Sequence, residues 1–162
     1  MKSNIVLIGL DYGVVNNLAV EIAPILDMFY LSIEDLIKYN LNKEEVLEKA
    51  GEDYLDLQIK KLVIGASEYE NTIINCPYDL FLNIDIWEKL SSSCVLVFIN
   101  IKKEYLQKIN ETKSLTKKND ISLLTYEELT KHISEMCNIK IAYNGEDIKK
   151  IINILKKELT KL

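Results

Sequence analysis

Apolar residues in this chain fall into short solid blocks, separated by stretches where they recur every three or four positions. Three blocks, NIVLIGL (4–10), TIINC (72–76) and CVLVFIN (94–100), carry almost no polar interruption. Short unbroken runs of this kind are expected of strands buried on both faces of a parallel sheet. Two weaker blocks, DMFYLS (27–32) and IKIAYN (139–144), are candidate partners and bring the count to five strands. After the first block, Leu18, Ala19, Ile22 and Leu26 keep helical spacing, with Pro24 inside the run. A proline there removes a backbone donor and costs about 3 kcal/mol, so this helix is predicted to kink or end early. SIEDLIKYN opens on a serine with acids close behind, a favourable helix start. NKEEVLEKAGEDYLDLQIKKLV reads as two helical pieces pivoting near Gly51. NIDIWEKLSS and KKEYLQKI flank the third block, while TYEELTKHISEMC and EDIKKIINILKKEL surround the last one.

Strands alternating with helices predict a three-layer α/β/α domain over residues 1–162, with a mostly parallel five-stranded sheet. A length of 162 residues favours one domain, able to bury roughly two thirds of its unfolded surface. The polar, lysine-rich NETKSLTKKND (110–120) has no periodicity, and residues 110–124 are expected to form a reduced lid or flexible loop.

Composition narrows the function classes. A formal charge of -5 argues against nucleic-acid binding, which needs a basic face. The apolar run near the start is short and broken by Asp11, so no secretory signal is expected and the cytoplasm is the expected location. No run is long enough to span a bilayer. Cys76, Cys94 and Cys137 have neither metal nor disulfide spacing and are expected to be buried, reduced thiols. His132 is the lone histidine and stands five positions from Cys137, a poor alignment for a nucleophile and its base. No metal site is expected. Tyr30, Tyr39 and Tyr54 are interface candidates that make no patch in sequence. All 20 basic residues are lysines, so the chain cannot supply the planar fork with which arginine grips an anion.

The first block runs into Gly9, as a strand does before a phosphate-binding loop, and DYGVVNN follows. In the pattern G-x-x-x-x-G-K-[ST], backbone amides cradle phosphates, lysine reaches the outer ones and the hydroxyl holds magnesium. Over residues 4–37 the chain resembles shikimate kinase, a small P-loop kinase. NIVLIGL corresponds to the first strand and loop glycine, and LAVEIAPILDMFYLSIEDLI to the following helix, strand and helix. AGEDYLDLQ (50–58), NTIINCPYDLFL (71–82) and CVLVFINIKKEYL continue the resemblance in order.

The resemblance implies a P-loop kinase-like fold, and it also marks what has changed. Gly9 stands at the first glycine, but Val14 falls at the second, Val15 at the lysine and Asn16 at the magnesium hydroxyl, with Asn17 beyond. Centring the loop on Gly13 restores no lysine. Asp11 adds a negative charge, whose repulsion toward a phosphate about 4 Å away is roughly 4 kcal/mol at an effective dielectric of 20. On the acceptor side the resemblance places Ser32 at a magnesium-assisting aspartate and Glu34 at an acid that contacts substrate hydroxyls. It places Asp56 at a carboxylate-gripping arginine, and Pro77, Tyr78 and Asp79 at a glycine triplet. If the fold holds, Asp11, Glu34, Asp56 and Asp79 are expected to face one cleft, with Tyr12 and Tyr78 at its rim.

Phosphoryl transfer depends on positioning and positive charge, and each charged position needed for it has changed. The expectation is a catalytically inactive, shikimate-kinase-like protein with no cofactor, acting as a regulatory or binding partner of another protein. Two alternatives stand beside it. One is a divergent ATP- and magnesium-dependent small-molecule kinase using Lys60, Lys61, Lys117 or Lys118. The other is a module that binds a cationic metabolite or a metal in the acidic cleft.

Overall fold

A computed structural model describes residues 3–113 and 123–162. Five strands form one sheet: β1 (Asn4–Ile8), β2 (Phe29–Ser32), β3 (Thr72–Asn75), β4 (Cys94–Ile101) and β5 (Ile139–Tyr143). Their spatial order is β2-β3-β1-β4-β5, and every pairing is parallel. The three unbroken apolar blocks occupy the three central positions. β1 and β3 are buried throughout, and β4 is buried at all but Asn100. β5, at one edge, alternates buried and exposed residues, as its IKIAY pattern dictates. The register sets Ile5 beside Ile73 and Val95, and Val6 beside Ile74 and Leu96, so the branched side chains stack in rows.

Nine helices among the described residues cover the sheet. α1 (Tyr12–Ile25) buries Val15, Leu18, Ala19, Ile22 and Ala23, the stripe that helical spacing predicts. Pro24 marks the early end of this helix, as its place in the run predicts. It sits in the last turn, one residue before the end, and Leu26 becomes the cap rather than a helical residue. Asp27 then takes a left-handed φ of 54°, while the Met28 N–H donates to Ala23 O and the Asp27 N–H to Pro24 O. That double bond is the Schellman closure, here with aspartate where glycine is common.

α2 (Ile33–Asn40) starts on Ser32, whose Oγ accepts the Asp35 N–H at 3.2 Å. α3 (Lys43–Ala50) and α4 (Glu52–Ala66) meet at Gly51, with φ 85° and ψ 173°, a conformation that side chains resist. The pivot lies where the sequence placed it. α3 buries none of its residues and leans on α4. α5 (Tyr78–Phe81) is a single turn, too short for periodicity to predict, anchored by fully buried Phe81.

α6 (Ile84–Ser93), α7 (Lys103–Lys113), α8 (Leu123–Met136) and α9 (Ile148–Leu159) complete the layers. α7 carries on through residue 113, so the first part of the expected loop at 110–120 is helical. Residues 123 and 124 likewise belong to α8, and the rest of the 110–124 expectation lies outside the described residues. All three cysteines are free and buried, as expected. Among the described residues, no helix is long and apolar enough to cross a membrane.

Candidate functional site

In a sheet wound in this order, the crevice lies beyond the carboxyl ends of the strands near β1 and β3, where the chain reverses direction. Only Gly9, Leu10 and Asp11 separate β1 from α1. Gly13, Val14, Val15, Asn16 and Asn17 lie in the opening turns of α1. Asp11 is the N-cap, and its carboxylate accepts the Val14 N–H at 2.9 Å. One of the amides that a helix start could offer an anion is therefore taken by the chain itself.

Val15 is 1% exposed and packs inward, and Val14 is partly buried against the core. A Cβ on Gly9 would come within 2.5 Å of Val15 Cγ2 and 3.1 Å of the Ile99 carbonyl oxygen. The glycine survives because the valine side chain lies against it.

Beneath α1 runs a network of neutral polar groups. Asn16 Oδ1 accepts from the Tyr30 hydroxyl and, at 3.3 Å, from Asn75 Nδ2. The Tyr12 hydroxyl and Ser32 Oγ lie 2.5 Å apart, and the Glu34 N–H donates to the Tyr12 oxygen at 3.4 Å. Burial pushes the Tyr12 hydroxyl up to about 12, against the opposing pull of its Ser32 hydrogen bond, so it stays protonated. Asn75 Oδ1 is buried with no partner.

Asn16 spends its amide oxygen on Tyr30 and Asn75, and the free oxygen of Asn75 is a neutral one. No group of three or more metal-ligating side chains occurs among the described residues.

The neighbouring region, beside α2 to α5, is built differently. A cavity of about 930 Å³ opens between α2, α3, α4 and α5 and includes Glu34, Lys43, Pro77 and Asp79 in its lining. A second, of about 590 Å³, adjoins it across Ile59, Asp79 and Leu80 and takes in Asp53, Asp56 and Lys60. Glu34 and Asp79 thus share one cavity, and Asp56 and Asp79 the other. Asp11 lines neither, because it caps α1 at the helix start; the Tyr12 hydroxyl is paired with Ser32, and Tyr78 packs against the core.

Burial raises the Glu34 carboxyl, with Asp79 and Asp35 adding to the rise and Lys43 opposing it. Lys60 is held by Asp85 at 2.7 Å, and Lys61 is exposed. Lys117 and Lys118 fall outside the described residues. His132 is exposed on α8, while burial pushes the Cys137 thiol up to about 12, so this pair offers no activated nucleophile. Cys76 is likewise raised by burial and by Asp79. Tyr30 and Asn75 carry no motif in the sequence, and only the fold brings them to Asn16.

No family model matches the chain, and no curated protein matches it. Solved structures do. Shikimate kinase from Aquifex aeolicus is similar over 97% of this chain and 96% of its own, with TM-score 0.73 and 22% identity. Shikimate kinase from Acinetobacter baumannii, in complex with shikimate, covers 98% and 94% with TM-score 0.76 and 14% identity. Shikimate kinase from Bacteroides thetaiotaomicron covers 98% of both chains with TM-score 0.70 and 17% identity. The chain has the three-layer fold of these kinases.

Proposed function

We propose that this protein uses a shikimate-kinase-like scaffold for binding rather than phosphoryl transfer, as a cytoplasmic regulatory or assembly partner of another protein. One observation carries the reading: Val15 is seated against Gly9 while Asp11 caps the same helix start. A triphosphate needs that helix start free and a cation beside it. Here an apolar side chain fills the space and a carboxylate holds the Val14 amide. The acceptor cavity, by contrast, is open and carries Glu34, Asp56 and Asp79, which suit a cationic surface better than an acidic substrate.

Isothermal titration with ATP and magnesium, alongside a coupled assay of phosphate transfer to shikimate, tests this directly. The expected result is no heat of binding at millimolar nucleotide and no transfer. Micromolar binding together with phosphorylated product would overturn the reading in favour of a divergent kinase.

The open acidic cavity favours a second reading, a module for a cationic metabolite. Thermal unfolding against a panel of amines separates it, because a ligand at 100 times its Kd adds about 2.7 kcal/mol.

A further inference from the structure

We infer that the trough formed by the two adjoining cavities is a docking groove for a basic amphipathic segment of a partner protein. The inference rests on the reading of the chain as a binding protein and names the chemistry of its partner.

Three observations support it. The cavities adjoin, sharing Ile59, Asp79 and Leu80, and their floor is apolar, with buried Ile37 and Ile59 flanked by partly buried Leu41 and Leu80. Large apolar side chains stand out of the trough into solvent. Tyr39 is 84% exposed, the highest value among the large apolar side chains of the described residues, and Leu57 is 44% exposed on the same lining. A tyrosine held in water beside an apolar floor is an anchor typical of a protein contact, and the leucine extends the apolar area around it.

The rim sets the sign of the partner. Six carboxylates, Glu34, Asp35, Glu44, Asp53, Asp56 and Asp79, line the trough against three lysines, Lys38, Lys43 and Lys60. Lys60 is already engaged by Asp85. A segment presenting apolar residues on one helical face and lysines or arginines beside them matches both features at once. An acidic segment would meet like charge along both walls. A small amine would meet the carboxylates but leave Tyr39 and Leu57 in water, which is why a polypeptide is the better occupant.

The test is a titration of the full chain with a fluorescent 18-residue helical peptide of leucines and lysines, read by anisotropy at low and at 300 mM salt. Micromolar binding that weakens at least tenfold at the higher salt is expected. Tyr39→Ala combined with Leu57→Ala should weaken it tenfold or more. Asp53→Asn, Asp56→Asn and Asp79→Asn together should do the same and flatten the salt dependence. Phe29→Ala, exposed on β2 away from the trough lining, should change nothing. All these side chains are exposed, so the variants are expected to fold, and circular dichroism checks that they do.

Equal binding of a leucine–glutamate peptide, unchanged affinity in the trough variants, or an equal loss with Phe29→Ala would overturn the inference. So would a thermal shift with spermine in a protein that ignores the peptide. Phosphate transfer from ATP would sink the non-catalytic reading without touching the titration, so the two fail separately.

Discussion

Two regions at the carboxyl ends of the same strands have taken opposite courses. Where β1 enters α1, the chain closes on itself: Val15 packs against Gly9, Asp11 satisfies the Val14 amide, and Asn16, Tyr30 and Asn75 bond to one another. Between α2, α3, α4 and α5 it stays open, with carboxylates and a tyrosine facing water around an apolar floor. The difference teaches that a scaffold can fill one subsite with its own side chains while leaving the neighbouring one available.

The largest effect in this comparison is expected from Val15→Lys, which puts a lysine where the P-loop pattern carries one. The position is 1% exposed, so the ammonium must be desolvated or neutralised in the folded state. Holding a lysine neutral at pH 7, against an unfolded value of about 10.4, costs on the order of 4 kcal/mol. The folded state then binds fewer protons than the unfolded one, so the lost stability returns as pH rises toward 10. Urea unfolding at pH 7 and pH 10 measures both. Wild-type-like stability at pH 7 would mean that the helix start opens easily and that the closed region is not a filled one.

A smaller loss, about 1–3 kcal/mol, is expected of Gly9→Ala, because the new Cβ meets Val15 Cγ2 at 2.5 Å and a β-branched side chain in a helix cannot swing away. Adding Val15→Ala to it should restore part of that loss, and a double-mutant cycle gives the coupling. If the two losses simply add, the glycine and valine are not packed on each other as described. Asp11→Ala should cost about 1 kcal/mol through the lost cap, while Asp11→Asn keeps the cap and loses only a fraction of that. Thermal unfolding ranks the two variants.

How far the sequence carried this picture depends on the kind of signal. Central strands were legible because β1, β3 and β4 are buried on both faces, which leaves unbroken apolar blocks. The Gly51 pivot was legible because glycine alone tolerates its φ. α5 was not, since a single turn has no period, and the end of α7 was not, since residues 110–113 are all polar. Pro24 was legible as well: the helix ends one residue past it, at Ile25, short of Leu26.

At the candidate site, the charge of Asp11 was visible but its work was not. The clue was present, an acid three residues ahead of Val14, which is N-cap spacing. Reading it would have shortened the loop and withdrawn Asp11 from the acidic cleft. The links from Tyr12 to Ser32 and from Asn16 to Asn75 span 20 and 59 residues, and no local pattern encodes them.

The smallest expected effect concerns Glu34 and sharpens the open half of the comparison. Its carboxyl is raised chiefly by burial, with Asp79 of α5 and Asp35 of α2 adding to the rise and Lys43 of α3 opposing it. A raised carboxyl means the folded state holds its proton more tightly than the unfolded one. Its contribution is therefore favourable at low pH and fades as pH climbs through the window from the unfolded value up to the raised folded one. Glu34→Gln should flatten that slope and change stability at pH 7 by no more than about 0.5 kcal/mol, since the side chain remains largely in water. A basic segment seated in the trough would favour the carboxylate, so complex formation in the same pH window should release protons, and calorimetry in buffers of different ionisation enthalpy counts them. Proton release in the wild type that persists unchanged in Glu34→Gln would place the titrating group elsewhere along the trough, and with it the strongest contact of the partner.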